Sequence, residues 1–331
     1  MIRYWYWYWT MAIFVLGLLA LMANAEVDLD AFESLVKNAP DEALKAYQNA
    51  IAREDLAVAD LYQLHYLAIR ASANTFNNAI FIKALNTLKA PPFKTLADED
   101  RAKILTNIGV GYRRRNQNEQ AIWHYRCAMN TPASFQHKSA LKVNIAIAYT
   151  RLEQPAIGYN LLKSVDREML PSFMQAGLLT ALGNATFAMG EADEALSYYV
   201  DAATHYAKDE NYRAVKQVSI NGLGIYVLNS DFSNYHKALA DIATEPSLIE
   251  DNQNYLGWLR ELVQQLEQNK QAVTVSTTMK AYALGAANAG YASMVNAHID
   301  KFNLSLPKVT SQIIVRDPLP VELGKTWCPK L

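Results

Sequence analysis

Chemistry in this 331-residue chain must come from side chains that ionise, ligate or attack. The six histidines, at 65, 124, 137, 205, 236 and 298, are scattered, and no two stand at the spacing that puts a pair of imidazoles on one helix face around a metal. Neither a sequence-local metal site nor a cofactor is expected. The chain also lacks a glycine-rich phosphate loop, a Gly-x-Ser-x-Gly nucleophile turn and a Cys-x-x-Cys redox pair. Carboxylates gather at Asp41-Glu42, Asp98-Glu99-Asp100 and Glu191 to Glu194. Each group falls at an expected helix start, where negative charge complements the helix dipole, so capping accounts for them without catalysis. Two cysteines remain, Cys127 and Cys328. In an oxidising compartment they could pair, tying the end of the chain to its middle; the alternative is two unpaired thiols.

The elements that must position these groups are helical. Only 13 Gly and 11 Pro are present, too few for the turns of a sandwich or barrel. A net charge of −1 with 51% hydrophobic residues excludes a disordered chain and a strongly basic nucleic-acid binder. Met1 to Ala25 reads as a secretory signal, with Arg3 at the start, an apolar run over Met11–Met22, and small residues at Ala23 and Ala25. Cleavage would leave Glu26 first. The rival reading is an uncleaved anchor, because Tyr4 to Trp9 extends the apolar run with interfacial rings. Either way the expected destination is outside the cytoplasm, in a bacterial periplasm or at the cell surface, with the membrane involved only through an uncleaved signal if at all.

A repeat then organises the sequence. Leu105, Ile108-Gly109, Tyr112, Ala121, Tyr125, Ala128 and Pro132 alternate large and small residues at helix-hairpin spacing. Ile145-Ala146, Tyr149, Gly158, Leu162 and Val165 follow in the same frame, as do Leu179, Leu182-Gly183, Gly190, Ala195, Tyr199 and Ala202. A weaker unit carries Gly222, Tyr226 and, as turn residue, Asn229. The small positions Gly109, Ala146, Gly183 and Gly222 thus recur at intervals of 37, 37 and 39 residues. This pattern resembles the tetratricopeptide repeat (TPR), in which two antiparallel helices approach closely where a small residue faces a large one; the usual period is about 34 residues. The resemblance implies an all-α, right-handed α-solenoid of antiparallel helix pairs.

Degenerate N-terminal helices are expected over 26–96, with Leu56–Arg70 and Phe76–Ala90 as one pair and Glu42–Arg53 as a further amphipathic stretch. Repeats follow over 97–245, as units of about 102–138, 139–175, 176–214 and 215–245. Capping helices should fill 246–303: one long helix over Pro246–Asn269, then a closing pair over Thr277–Ala289 and Tyr291–Phe302. The tail, 304–331, holds four prolines and a β-branched run at Ile313-Ile314-Val315, so it should be extended. It would cover the last helices, present itself to a partner, or dock into the chain's own groove.

Exported helical solenoids also occur in peptidoglycan-cleaving lytic transglycosylases. Glu33-Ser34 matches the start of that family's acid/base motif, but Leu35-Val36-Lys37-Asn38 departs from its Gly-Leu-Met-Gln continuation. What the TPR resemblance implies instead is a binding surface on the first helix of each pair. Its candidates are Lys103, Asn107, Val110 and Arg114; Asn144, Ile147 and Arg151; and Thr180, Asn184 and Phe187. Asn107 and Asn144 would form a ladder for peptide amides, or be merely solvated. Arg113-Arg114-Arg115 would complement a helix C-terminus or meet carboxylates. The family's carboxylate clamp is not reproduced as a complete set. The expected function is a non-catalytic scaffold for a protein or peptide, with a ligand-sensing module of a membrane-linked signalling system as the alternative.

Overall fold

The structure, a computed structural model, describes residues 28–268, 273–310 and 317–328. The expected signal segment, the Ile313-Ile314-Val315 run and Pro329 lie outside the described residues. The described residues are all-α, with no strand among them. They fall into two compact units divided at Asp100/Arg101.

In the first unit, α1 (Leu29–Asn38), α2 (Pro40–Ala50), α3 (Val58–Thr75) and α4 (Asn78–Thr87) pack each on the next, and the short α5 (Lys94–Glu99) packs on the 3₁₀ turn at Pro91–Phe93. Asp28 caps α1 through the Ala31 amide at 2.9 Å, and Phe32 and Val36 point inward from it. The Tyr47 hydroxyl meets Nδ1 of buried His65 at 2.8 Å. Desolvation pushes the His65 pKa down to about 4, so the ring is neutral at pH 7.

The second unit contains four helix pairs, α6 (Arg101–Arg114) with α7 (Asn118–Met129), α8 (Phe135–Arg151) with α9 (Pro155–Lys163), α10 (Ser172–Ala188) with α11 (Ala192–Lys208), and α12 (Tyr212–Leu228) with α13 (Phe232–Ile242). Each packs on the next, and α6 to α8 and α8 to α10 also touch directly, so successive first helices lie side by side. The small-to-large rule has a visible cause. A Cβ added at Gly109 would stand 2.4 Å from Tyr125 Cε1, and one at Gly183 would stand 2.5 Å from Tyr199 Cε1. In the middle pair Ala146 and Leu162, both buried, occupy the equivalent places. A Cβ at Gly158 would meet the Ala146 carbonyl oxygen at 2.8 Å, so backbones touch there.

The turn inside each pair puts one residue in the left-handed region: Asn116 (φ 61°), Glu153 (59°), Gly190 (94°) and Ser230 (57°). In the fourth pair the position falls on Ser230 and not on Asn229, whose φ is −86°. The expected single helix over Pro246–Asn269 is also corrected: it breaks into α14 (Pro246–Asp251) and α15 (Gln253–Glu267). The break sits at buried Asn252, which donates to the Leu248 carbonyl at 2.9 Å and accepts from the Tyr291 hydroxyl at 2.8 Å. These bonds compete with a continuing helix. The closing helices are α16 (Thr277–Ala286) and α17 (Ala292–Lys301), joined through a wide turn in which Gly290 takes φ 102°. Between them and α12, His298 accepts from Trp258 Nε1 at 3.3 Å and donates from Nε2 to the Gly224 carbonyl at 2.9 Å. Burial lowers its pKa to about 4.

The tail does two things. Leu304 is buried and Asn296 of α17 pairs both ways with the main chain of Val309, at 2.8 Å each, so the first stretch covers the last helices. Residues 317–328 instead return to the α6–α7 pair, where Cys328 is disulfide-bonded to Cys127 with a Cα–Cα distance of 5.7 Å. Apart from a 3₁₀ turn at Lys325–Trp327, this return carries no helix.

Candidate functional site

The family-implied residues lie along α6, α8 and α10 in varied states. Lys103 and Arg114 are exposed on α6, while Asn107 and Val110 are half-buried. The Asn107 side-chain nitrogen is itself buried and has no hydrogen-bond partner. Asn144, one repeat on, gives its amide to its own helix through the Ala140 carbonyl at 3.0 Å. Thr180 does the same with the Ala176 carbonyl at 2.9 Å, and Asn184 accepts from the Tyr199 hydroxyl at 2.8 Å. Ile147 and Phe187 pack against the core. Of the three uncharged polar positions beyond α6, two thus serve their own helix and the third serves a tyrosine.

The C-terminal end of α6 is different. Arg151 reaches from α8 to donate to the Arg113 carbonyl at 3.1 Å, and Arg113 Nε lies 3.3 Å from the Tyr125 hydroxyl. Arg113, Arg114 and Arg151 therefore crowd one helix end. No carboxylate pairs with any of the three among the described residues. Arg114 and Arg151 are exposed, yet surrounding protein and then neighbouring guanidinium charge lower both pKa values, that of Arg151 to about 10. At neutral pH they remain charged, and an anion entering here would relieve repulsion as well as form bonds. Sequence reasoning found Arg114 and Arg151 through the repeat frame. It read Arg113-Arg114-Arg115 as one run, whereas the structure splits it.

Arg115 turns the other way. It is fully buried, donates to its own helix at the Gly111 carbonyl (3.1 Å) and meets the Asp317 carbonyl at 3.2 Å. Beside it the Gln117 carboxamide pairs with both polar atoms of Leu319: the Leu319 amide donates to Oε1 at 2.8 Å, and Nε2 donates to the Leu319 carbonyl at 2.9 Å. The Tyr112 hydroxyl donates to the Pro320 carbonyl at 2.6 Å, and His124 Nε2 lies 3.1 Å from the Leu323 carbonyl. Gly324, at φ 81°, fits where a Cβ would stand 2.9 Å from Ile108 Cδ1. Nothing local in the sequence announces this set, because its partners lie about 200 residues apart; the cysteine pair and the extended tail pointed to a docked end without naming its contacts.

Elsewhere, α7, α8 and α9 border a shallow cleft of about 660 Å³ lined by Arg126, Tyr149 and Ile157 among others. The described residues contain no group of three or more His, Cys, Asp or Glu side chains that could hold a metal. Glu33 is ion-paired with Arg70 at 3.0 Å and with Lys37 at 3.5 Å, and the Arg70 hydrogen bond leads in holding its carboxyl below the usual range.

The helix pairs and their small-to-large packing define an all-α repeat of TPR-like architecture. No family model and no curated protein matches the chain. A solved structure described as a Rap protein complexed with competence and sporulation factor aligns with 84% of this chain and 96% of its own, at a TM-score of 0.39 and 13% identity. A likeness of that degree extends to neither residues nor ligand.

Proposed function

We propose that the chain is an exported, non-catalytic scaffold that binds a protein or peptide along the face lined by α6, α8 and α10, and that it recognises acidic groups at the end of α6. One observation carries this reading: three guanidinium groups, Arg113, Arg114 and Arg151, converge, and among the described residues no carboxylate pairs with them. The unpartnered Asn107 donor lies about two turns away on the same helix. These are donors in search of acceptors, which is what a carboxylate-bearing extended peptide offers. The Cys127–Cys328 bridge supports an oxidising compartment. The ion-paired Glu33, with its lowered carboxyl, is a poor general acid.

An array of extended peptides differing in carboxylate content tests the reading. Full-length protein should bind acidic members, and Arg114→Ala/Arg151→Ala should weaken that binding about tenfold or more. Retention that ignores peptide charge, or survives both substitutions, rejects it. For export, a mature N-terminus at Glu26 found by mass spectrometry favours a released scaffold; an intact Met1 in membrane fractions favours the anchored form.

A further inference from the structure

The return of residues 317–328 to the α6–α7 pair is more than a covered edge, because of how it is held. Most of the polar contacts go from side chains of the α6–α7 pair and the turn inside it to main-chain atoms of the tail. Gln117 reads the amide and carbonyl of Leu319, Tyr112 reads the Pro320 carbonyl, His124 faces the Leu323 carbonyl, and Arg115 faces that of Asp317. Gln117 offers one donor and one acceptor to a single residue, as a neighbouring strand would. Leu319 and Trp327 supply the apolar anchors, at 1% and 7% exposure, whereas Pro318, Pro320, Val321 and Glu322 remain exposed. Prolines on both sides of Leu319 restrict the free segment and reduce the entropy lost on docking. This is how a peptide ligand is bound, and here the ligand belongs to the same chain.

We infer that the face formed by Ile108, Tyr112, Arg115, Gln117 and His124 is a second binding site, specific for an extended, proline-flanked apolar segment. Residues 317–327 are its resident occupant, and the Cys127–Cys328 bond gates it. With the bond intact the tail cannot leave, so no segment enters in trans. Cys127 is fully buried and Cys328 is half-buried, so a dithiol reductant reaches the Cys328 sulfur first. Its thiolate forms a mixed disulfide with Cys328 and expels Cys127 as a thiolate, which takes up a proton. The reductant's second thiol then closes on the first, releasing Cys328 as a thiol and the reductant as its own disulfide. The tail is then joined to the rest of the chain covalently only through its own backbone, and its hold on the face becomes an equilibrium that a competing segment can shift. The inference does not depend on the arginine cluster, which faces a different ligand chemistry.

The test uses the full chain and a labelled peptide spanning residues 317–327, Asp-Pro-Leu-Pro-Val-Glu-Leu-Gly-Lys-Thr-Trp, acetylated and amidated. Oxidised wild type should not bind it. A Cys127→Ser/Cys328→Ser/Leu319→Asp chain, whose own tail is released and stripped of its anchor, should bind it, and adding Gln117→Ala should weaken binding about tenfold or more. Absence of binding to the triple variant, or binding that ignores Gln117→Ala, overturns the site. Hydrogen exchange on the wild-type chain tests the gate separately. Dithiothreitol should speed exchange in 317–327 at least tenfold more than in α10 to α12. Equal protection before and after reduction overturns the gate. An equal loss of protection in α10 to α12 overturns it too, the bond then being a staple of the whole fold. Arg114 and Arg151 are intact in every variant, so failure here leaves the proposed acidic-peptide reading standing, and the reverse holds equally.

Discussion

The α6–α7 and α10–α11 pairs are built on the same lock, a glycine on the first helix and a tyrosine ring from the second laid across it. They differ in what is attached to it. In α10–α11 the Tyr199 hydroxyl is bound by Asn184 within the pair, and the pair is complete. In α6–α7 the place of Asn184 is taken by Val110, the Tyr125 hydroxyl meets Arg113 instead, and the pair gathers an arginine cluster on one side and the chain's tail on the other. Repetition of the buried contacts therefore fixes the architecture, while the specialised chemistry enters at positions that the lock leaves free.

The comparison can be broken most severely at the covalent bond, which only the α6–α7 pair possesses. Cys127→Ser/Cys328→Ser should lower unfolding free energy by up to about 5 kcal/mol on the chain-entropy argument, measured by urea denaturation. Next in size is the lock itself. Gly109→Ala and Gly183→Ala should each cost about 1–3 kcal/mol, since the added methyl collides with a buried ring. Gly109→Ala/Tyr125→Leu, which copies the Ala146/Leu162 solution of the middle pair, should recover more than half of the loss; no recovery would mean that the three pairs are not interchangeable. Smaller again is Asn184→Val, which installs the α6 residue in α10 and strands the Tyr199 hydroxyl, at about 1 kcal/mol.

The smallest expected difference is a pH effect. Burial lowers the pKa of His124, so its folded value lies below the unfolded 6.5, and the unfolded state binds the extra proton as pH falls through that window. Stability of the α6–α7 pair and its tail should therefore be fully present above pH 6.5 and decline on acidification. His205 of α11 is shifted the same way but is only half-buried, so α10–α11 should respond less. Residue-resolved hydrogen exchange at pH 7 and pH 5 measures both.

The parts of the fold that were legible in the sequence are those with a local cause. The helix pairs and small-to-large positions follow from periodicity, and the Gly190 turn from the residue that best tolerates positive φ. The break at Asn252 was not legible, because Asn252 is paired with Tyr291 across 39 residues. Ser230 was missed for a related reason: the turn requires a left-handed residue at a fixed distance from the helix, and the sequence puts no glycine there to mark it. Of the candidate site, the repeat frame placed Arg114 and Arg151 on adjacent helices. It did not show that no carboxylate among the described residues pairs with them, since a missing partner depends on every element nearby. The tail's destination rests on contacts of single atoms across about 200 residues, and only Cys127 and Cys328 leave a trace of it in composition.

The bridge has a mechanical consequence. Cys127 and Cys328 lie 201 residues apart in sequence, so the bond closes most of the second unit into a covalent ring. Tension applied upstream of Cys127 and downstream of Cys328 passes through the sulfurs and bypasses everything between them. Helices α8 to α17 thus carry no load while the ring is closed. Opening it would add about 700 Å of extensible chain, at roughly 3.5 Å per residue, and turn a load-shielded ring into a spring in series with its ends.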